Sequence, residues 1–206
     1  MGKINLKEFI DEDGVVCIEN ILLENEVFDG LNVRWLTIKD CTFKNIVFKN
    51  YNGELNIEHE NCSFCDCIFE NITSKEFFIN SQRNYYFNCK FKKIYIEDFI
   101  EQSSIYREKF ENCTFEDMHI WADISSNCLS IEKSILNNFN CFIHDNDSWK
   151  IIDSKIKNTK LKGTIVDNYF QNVEFDEFKI TCGKEDIDTN TFIDCEKEKI
   201  DIKLFD

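Results

Sequence analysis

Large apolar residues in this chain recur every five positions. One face of a helix repeats every 3.6 residues and an isolated strand every two, so neither element alone explains the pattern. Ile38, Phe43 and Phe48 set the frame, followed by His59/Phe64/Phe69, Phe110/Phe115/Ile120, Ile131/Leu136/Cys141, Ile151/Ile156/Leu161 and Phe170/Phe175/Ile180. Weaker copies at Ile18/Leu23/Phe28, Tyr86/Phe91/Ile96 and Phe192/Lys197/Ile202 bring the total to nine. Two residues before each middle position stands a small or β-branched residue: Ile21, Cys41, Cys62, Cys89, Cys113, Ser134, Ser154, Val173 or Cys195. Two residues after each first position stands Asn20, Asp40, Asn61, Asn88, Asn112, Lys133, Asp153, Asn172 or Asp194. Asn and Asp tolerate tight corners and bond to their own turns.

Three residues alternating in–out–in, then a two-residue corner, make one side of a coil. Four sides close a coil of about 20 residues, and nine coils at the strand spacing of about 4.8 Å stack to roughly 43 Å. Each coil then bonds the coils above and below it, leaving edges only at the ends. The expected fold is all-β, a right-handed parallel β-helix of about nine coils with a filled interior, forming a single domain over 1–206 with an N-terminal cap at 1–15. The chain has no proline, where average usage of about 5% would give roughly ten. A chain paired along most of its length has reason to exclude the one residue without an N–H.

The steps CTFKN-IVFKN (41–50), CSFCD-CIFEN (62–71) and NCTFED (112–117) resemble the pentapeptide-repeat family over about residues 16–202. That resemblance implies a square coil with Leu or Phe at the centre of each side and a small residue two before it. Here the small position is mostly Cys, and the fourth side is poorly kept. A triangular coil of the pectate-lyase kind is the alternative.

Middle positions follow one another after 20, 21, 27, 24, 21, 20, 19 and 22 residues. The long intervals predict inserted loops at 72–84 and 97–108, carrying Phe77, Phe78, Arg83, Tyr106 and Arg107. Insertions in repeat proteins gather on one face and often bind partners. Beside them, Val27, Val47, Ile68, Tyr95 and His119, with Trp121 and Phe142, are expected to form one outward apolar stripe, the mark of a contact site. The expected partner-binding residues are therefore Val47, Ile68, Phe77, Phe78, Arg83, Tyr95, Tyr106, Arg107, His119 and Trp121.

A net charge of −15 repels phosphate backbones, so direct nucleic-acid binding is not expected. The first residues carry acids and no apolar run, and Leu6 does not fit the myristoylation pattern. No membrane association is expected, and the reading is a cytoplasmic protein. Eleven cysteines are then reduced thiols acting as small apolar side chains. His59, Cys62, Cys65 and Cys67 match zinc ligands in type. In the repeat, however, Cys62 and Cys67 point inward on successive sides and Cys65 outward, so they diverge. No phosphate loop or nucleophile elbow appears. An Asp/Glu pair for glycoside hydrolysis is a third reading, since 39 acids make chance pairs easy, and Trp121 and Trp149 could stack on sugars.

The expected function is non-catalytic and cofactor-free binding of a protein partner by a monomer or weak homodimer. From the family resemblance comes the finer expectation of an immunity or resistance role, in which a toxin is sequestered or a target enzyme shielded. The same resemblance implies the rival, an acidic DNA mimic that binds a type II topoisomerase such as gyrase. Alternation of Glu58, Glu60, Glu111 and Glu132 with Lys39, Lys109 and Lys150 argues for neutralised rungs and against a single-sign field, as does the basic cluster Lys155, Lys157, Lys160 and Lys162.

Overall fold

A computed structural model describes residues 15–30, 35–53, 56–74, 80–98 and 104–205. All strand pairs among them are parallel and join residues 19 to 24 apart, so the chain climbs one rung per circuit. Four faces result. The first holds Val15–Glu19, Trp35–Lys39, Asn56–Glu60, Asn80–Gln82 and Ser104–Tyr106, then segments 125–127, 145–147 and 164–166. The second is a ladder of nine strands from Leu22–Glu24 to Thr191–Ile193. The third runs from Val27–Asp29 through 47–49, 68–70, 90–92 and 114–116 to 174–176. The fourth runs from 51–53 through 72–74, 94–98 and 118–122 to Ile200–Leu204. Seven turns have all four faces among the described residues. At the last turn the helix Lys184–Ile187 stands where a first-face strand would come.

Corners explain the sequence pattern. Among the described residues twenty-four non-glycine residues have positive φ, at five-residue steps such as Asn20 and Asn25, Asp40 and Asn45, and Asn112 and Asp117. L-residues pay about 1–2 kcal/mol in this region, and Asn and Asp pay least; they make up seventeen of the twenty-four. Their amides also bond along the stack, as in Asn45 Nδ2 to Asn25 Oδ1 at 2.7 Å and Asn172 Nδ2 to Asp153 Oδ1 at 2.7 Å. The backbone ladder continues through the corners, with Asn45 N–H donating to Cys65 O at 2.9 Å. Small inward residues next to the corners have a matching role. The Cys62 thiol and Ser134 hydroxyl each donate to the carbonyl two residues back, Glu60 O at 3.2 Å and Glu132 O at 2.7 Å. Asn172→Val is expected to lose about 1–2 kcal/mol and Asn172→Gly less than half of that; thermal unfolding of the pair separates conformational strain from the lost amide bond.

Inward residues form flat aromatic stacks. On the second face Phe43, Phe64, Tyr86 and Phe110 have centroids 4.8, 4.8 and 4.5 Å apart, with rings within 8° of parallel. On the third, Phe48, Phe69, Phe91 and Phe115 follow at 5.0, 4.9 and 4.9 Å. These are the inter-strand spacings themselves.

Four sides dismiss the triangular alternative. Nine rungs occur on the second face, and seven turns have all four faces among the described residues. The register also differs from the sequence frame after the third coil, where Tyr86 and not Phe91 stacks on Phe64. The next second-face centre thus comes 22 residues after Phe64 instead of 27. Within the stretches expected as inserted loops, Asn80–Gln82 and Ser104–Tyr106 are regular first-face strands, paired residue for residue. Phe77 and Phe78 lie outside the described residues, as does most of the expected N-terminal cap.

Candidate functional site

Outward positions of the fourth face make two columns. Thr73, Tyr95, His119, Asn140, Lys160, Lys179 and Asp201 are successive partners in one. Glu97, Trp121, Phe142, Lys162, Thr181 and Lys203 are partners in the other. Tyr95, His119, Trp121 and Phe142 therefore occupy one contiguous patch over three turns. Tyr95 is 43% exposed and Trp121 52%. Trp121 meets Phe142 edge to face at 5.9 Å, and Tyr95 lies 6.3 Å from His119. Lys162 Nζ sits over the Phe142 ring at 5.3 Å, a cation–π contact at the border with the next rung.

Several other lysines pair across rungs: Lys44 with Glu24 at 3.7 Å, Lys109 with Glu132 at 3.4 Å, Lys155 with Glu174 at 2.7 Å and Lys157 with Asp176 at 3.4 Å. Among the described residues Lys160 and Lys162, both exposed, have no carboxylate partner. The basic cluster expected at 155–162 thus divides at the Asn158 corner into a paired half and an unpaired half.

The expected apolar stripe divides too. Val27, Val47 and Ile68 stack on the third face and continue into Lys90, one corner away from Tyr95. Val47 and Ile68 are half-buried. The reason is the register difference: the sequence frame equated the third face of the early turns with the fourth face of the later ones. Tyr106 lies on the first face with the Arg107 guanidinium 4.9 Å from its ring, and Arg83 pairs with Glu60 at 3.9 Å. Of the ten expected contact residues, the structure brings together Tyr95, His119 and Trp121. Phe142, half-buried, and Lys160 and Lys162 belong with them. Their sequence signal was the shared frame, each lying one before or one after Ile120, Cys141 or Leu161.

Cys62 and Cys67 are buried at successive corners and Cys65 is half-exposed. Burial pushes the Cys62 thiol up to about 12, and bonding to the Cys113 and Cys67 thiols, then burial, raises Cys89. Such thiols are neither nucleophiles nor ready metal ligands, and no group of three metal-binding side chains occurs among the described residues. Trp149 is 2% exposed, which removes it as a sugar platform. One buried acid is conspicuous: Glu108, 1% exposed, accepts from Asn84 Nδ2 at 3.0 Å through Oε1, while Oε2 has no partner and borders an apolar cavity of about 40 Å³.

No protein-family model and no curated protein matches the chain. Among solved structures, that of trypsin-treated QnrB1, a plasmid-mediated fluoroquinolone resistance protein, aligns over 92% of each chain at 12% identity, with a TM-score of 0.45. The architecture rests on this chain's own register: five-residue sides, left-handed corners and four faces per turn. The coil is a four-sided parallel β-solenoid with a five-residue repeat. No helix among the described residues is long and apolar enough to cross a membrane.

Proposed function

We propose that this solenoid is a non-catalytic binding protein whose fourth face docks another protein. The observation that carries the reading is the cluster of exposed Tyr95, His119 and Trp121 with half-buried Phe142 on a parallel sheet. Trp and Tyr dominate interface energetics because they bury much area with little rotamer entropy to lose, and strands stacked on both sides hold them in place. The finer role, immunity or resistance by sequestering a toxin or shielding a target enzyme, comes from the pentapeptide-repeat resemblance of the sequence. The acidic DNA mimic is favoured by the net charge of −15. Against it stand the ion pairs that join rungs on the second and third faces, since a duplex mimic needs a continuous field of one sign.

Tagged protein incubated with lysate of its own cells, over a range of salt, is expected to retain a stoichiometric protein. Trp121→Ala is expected to weaken that retention at least about thirtyfold, the size of a hot-spot truncation. No stoichiometric partner at any salt overturns the reading. Inhibition of gyrase supercoiling at micromolar protein, insensitive to Trp121→Ala, replaces it with DNA mimicry.

A further inference from the structure

The fourth face joins an aromatic patch to two exposed lysines, Lys160 and Lys162, that have no carboxylate partner among the described residues. We infer that the docked segment of the partner is an acidic–apolar polypeptide: one large apolar anchor over Trp121 and Phe142, and one or two carboxylates over Lys160 and Lys162. The inference rests on the binding function proposed above and specifies the chemistry of its partner.

Register sets the spacing. Trp121, Phe142 and Lys162 are direct partners on three consecutive rungs, as are His119, Asn140 and Lys160. Anchor and charge are thus one to two rungs apart, about 5–10 Å, so an extended segment along the solenoid axis places its carboxylate about two to three residues from its anchor. The cations beside the aromatics are Lys160 and Lys162, with exposed Lys203 two rungs beyond Lys162 in the same column. Glu97 is the direct neighbour of Trp121 at one end, and Asp201 pairs with Lys179 at 3.9 Å at the other. Beside the aromatics that frame admits one or two carboxylates. Single-stranded nucleic acid also stacks on aromatics and seeks lysines, but a run of phosphates would cross the flanking acids of a chain with net charge −15. Lysine suits the carboxylate as a point charge, and Lys162, already over the Phe142 ring, can keep its aromatic contact while pairing.

The test is selection of random peptides displayed against the full chain. Enriched peptides are expected to carry Asp or Glu about two to three residues from Trp, Phe, Leu or Ile. Synthetic copies are expected to lose about tenfold or more in affinity to a Lys160→Glu/Lys162→Glu variant, and also to Trp121→Ala. Both variants alter exposed side chains, and their melting curves are expected to match that of the parent. The inference is overturned by enriched peptides lacking acids, by equal affinity for the variants, or by no enrichment over the double variant. A labelled oligo-dT strand that binds more tightly than the best peptide and is lost in the same variants reassigns the face to nucleic acid. A lysate partner that survives Lys160→Glu/Lys162→Glu sinks this inference and leaves the binding function standing.

Discussion

Phe91→Ala is expected to lower the free energy of unfolding by about 3–5 kcal/mol, the usual cost of emptying a buried Phe site. The ring is fully buried and is a hub: it stacks on Phe69 and Phe115 at 4.9 Å each and meets the edges of Tyr86 at 5.7 Å and Phe110 at 5.6 Å. A rigid coil cannot close round the void, because every neighbouring backbone is held by rungs above and below. For a chain of this size the loss corresponds to roughly 6–20 °C in melting temperature. Solenoid turns are coupled only to their neighbours. Cutting the stack at its middle is therefore also expected to broaden the transition, as the turns before and after Phe91 begin to melt separately. A shift under about 3 °C, with unchanged cooperativity, would mean that the aromatic stacks contribute far less than their burial implies.

The five-residue period was legible because it comes from two independent constraints, inward apolar centres and left-handed corners. Where both hold, as in 41–50 and 62–71, the sequence frame and the register agree. They part where inward positions become polar. Ser81, Asn84 and Glu108 are each 1% exposed and occupy places where Ile18, Cys62 and Leu129 stand in other turns. Read by hydrophobicity alone, such residues belong to a loop, and the stretches around them were expected as insertions. In the fold hydrogen bonds between turns hold them, with Oε2 of Glu108 left unpaired: Asn84 Oδ1 accepts from Cys62 N–H at 2.8 Å, and Asn84 donates to Glu108 Oε1. A buried polar network has no hydropathy signature, because its pairing exists only between turns. The positive-φ corners at Arg83 and Arg107 added to the difficulty, since neither residue type marks a corner.

The candidate site was legible from turn four onward. There the frame placed Tyr95, His119 and Trp121 outward on one side, as the structure does. Val47 and Ile68 were joined to them only through the misplaced register. Lys160 and Lys162 were visible as a basic cluster, but separating them from Lys155 and Lys157 needed the corner at Asn158 and the cross-rung partners Glu174 and Asp176. Which charges are already neutralised is a property of neighbouring rungs, twenty residues away in sequence, and no local pattern reports it.

Stability is expected to fall as pH rises from about 4.5 to 8, and Glu108→Gln is expected to remove that slope. Burial pushes the Glu108 carboxyl from 4.5 up to about 8, against the opposing pull of hydrogen bonds from Asn84 and Ser81. Its folded pKa lies above the unfolded value, so between the two the folded chain keeps a proton that the unfolded chain has released. Unfolding then releases a proton, and raising the pH favours it; below about 4.5 both states are protonated and above about 8 neither is, so the slope vanishes outside the window. Tyr86, the titratable neighbour that feels this charge, is held protonated by its own burial and adds no slope there. Full expression of the shift is on the order of 4–5 kcal/mol. Parent and Glu108→Gln are therefore expected to melt close together at pH 5 and to separate by roughly 8–20 °C at pH 8, the variant being the more stable. Gln keeps the acceptor for Asn84 and sets an amide against the same cavity, a cost that does not vary with pH. Parallel stability–pH curves for the two proteins would show that Glu108 is ionised in the fold at pH 5. The carboxylate would then need a cation beside Oε2, where the structure places apolar walls.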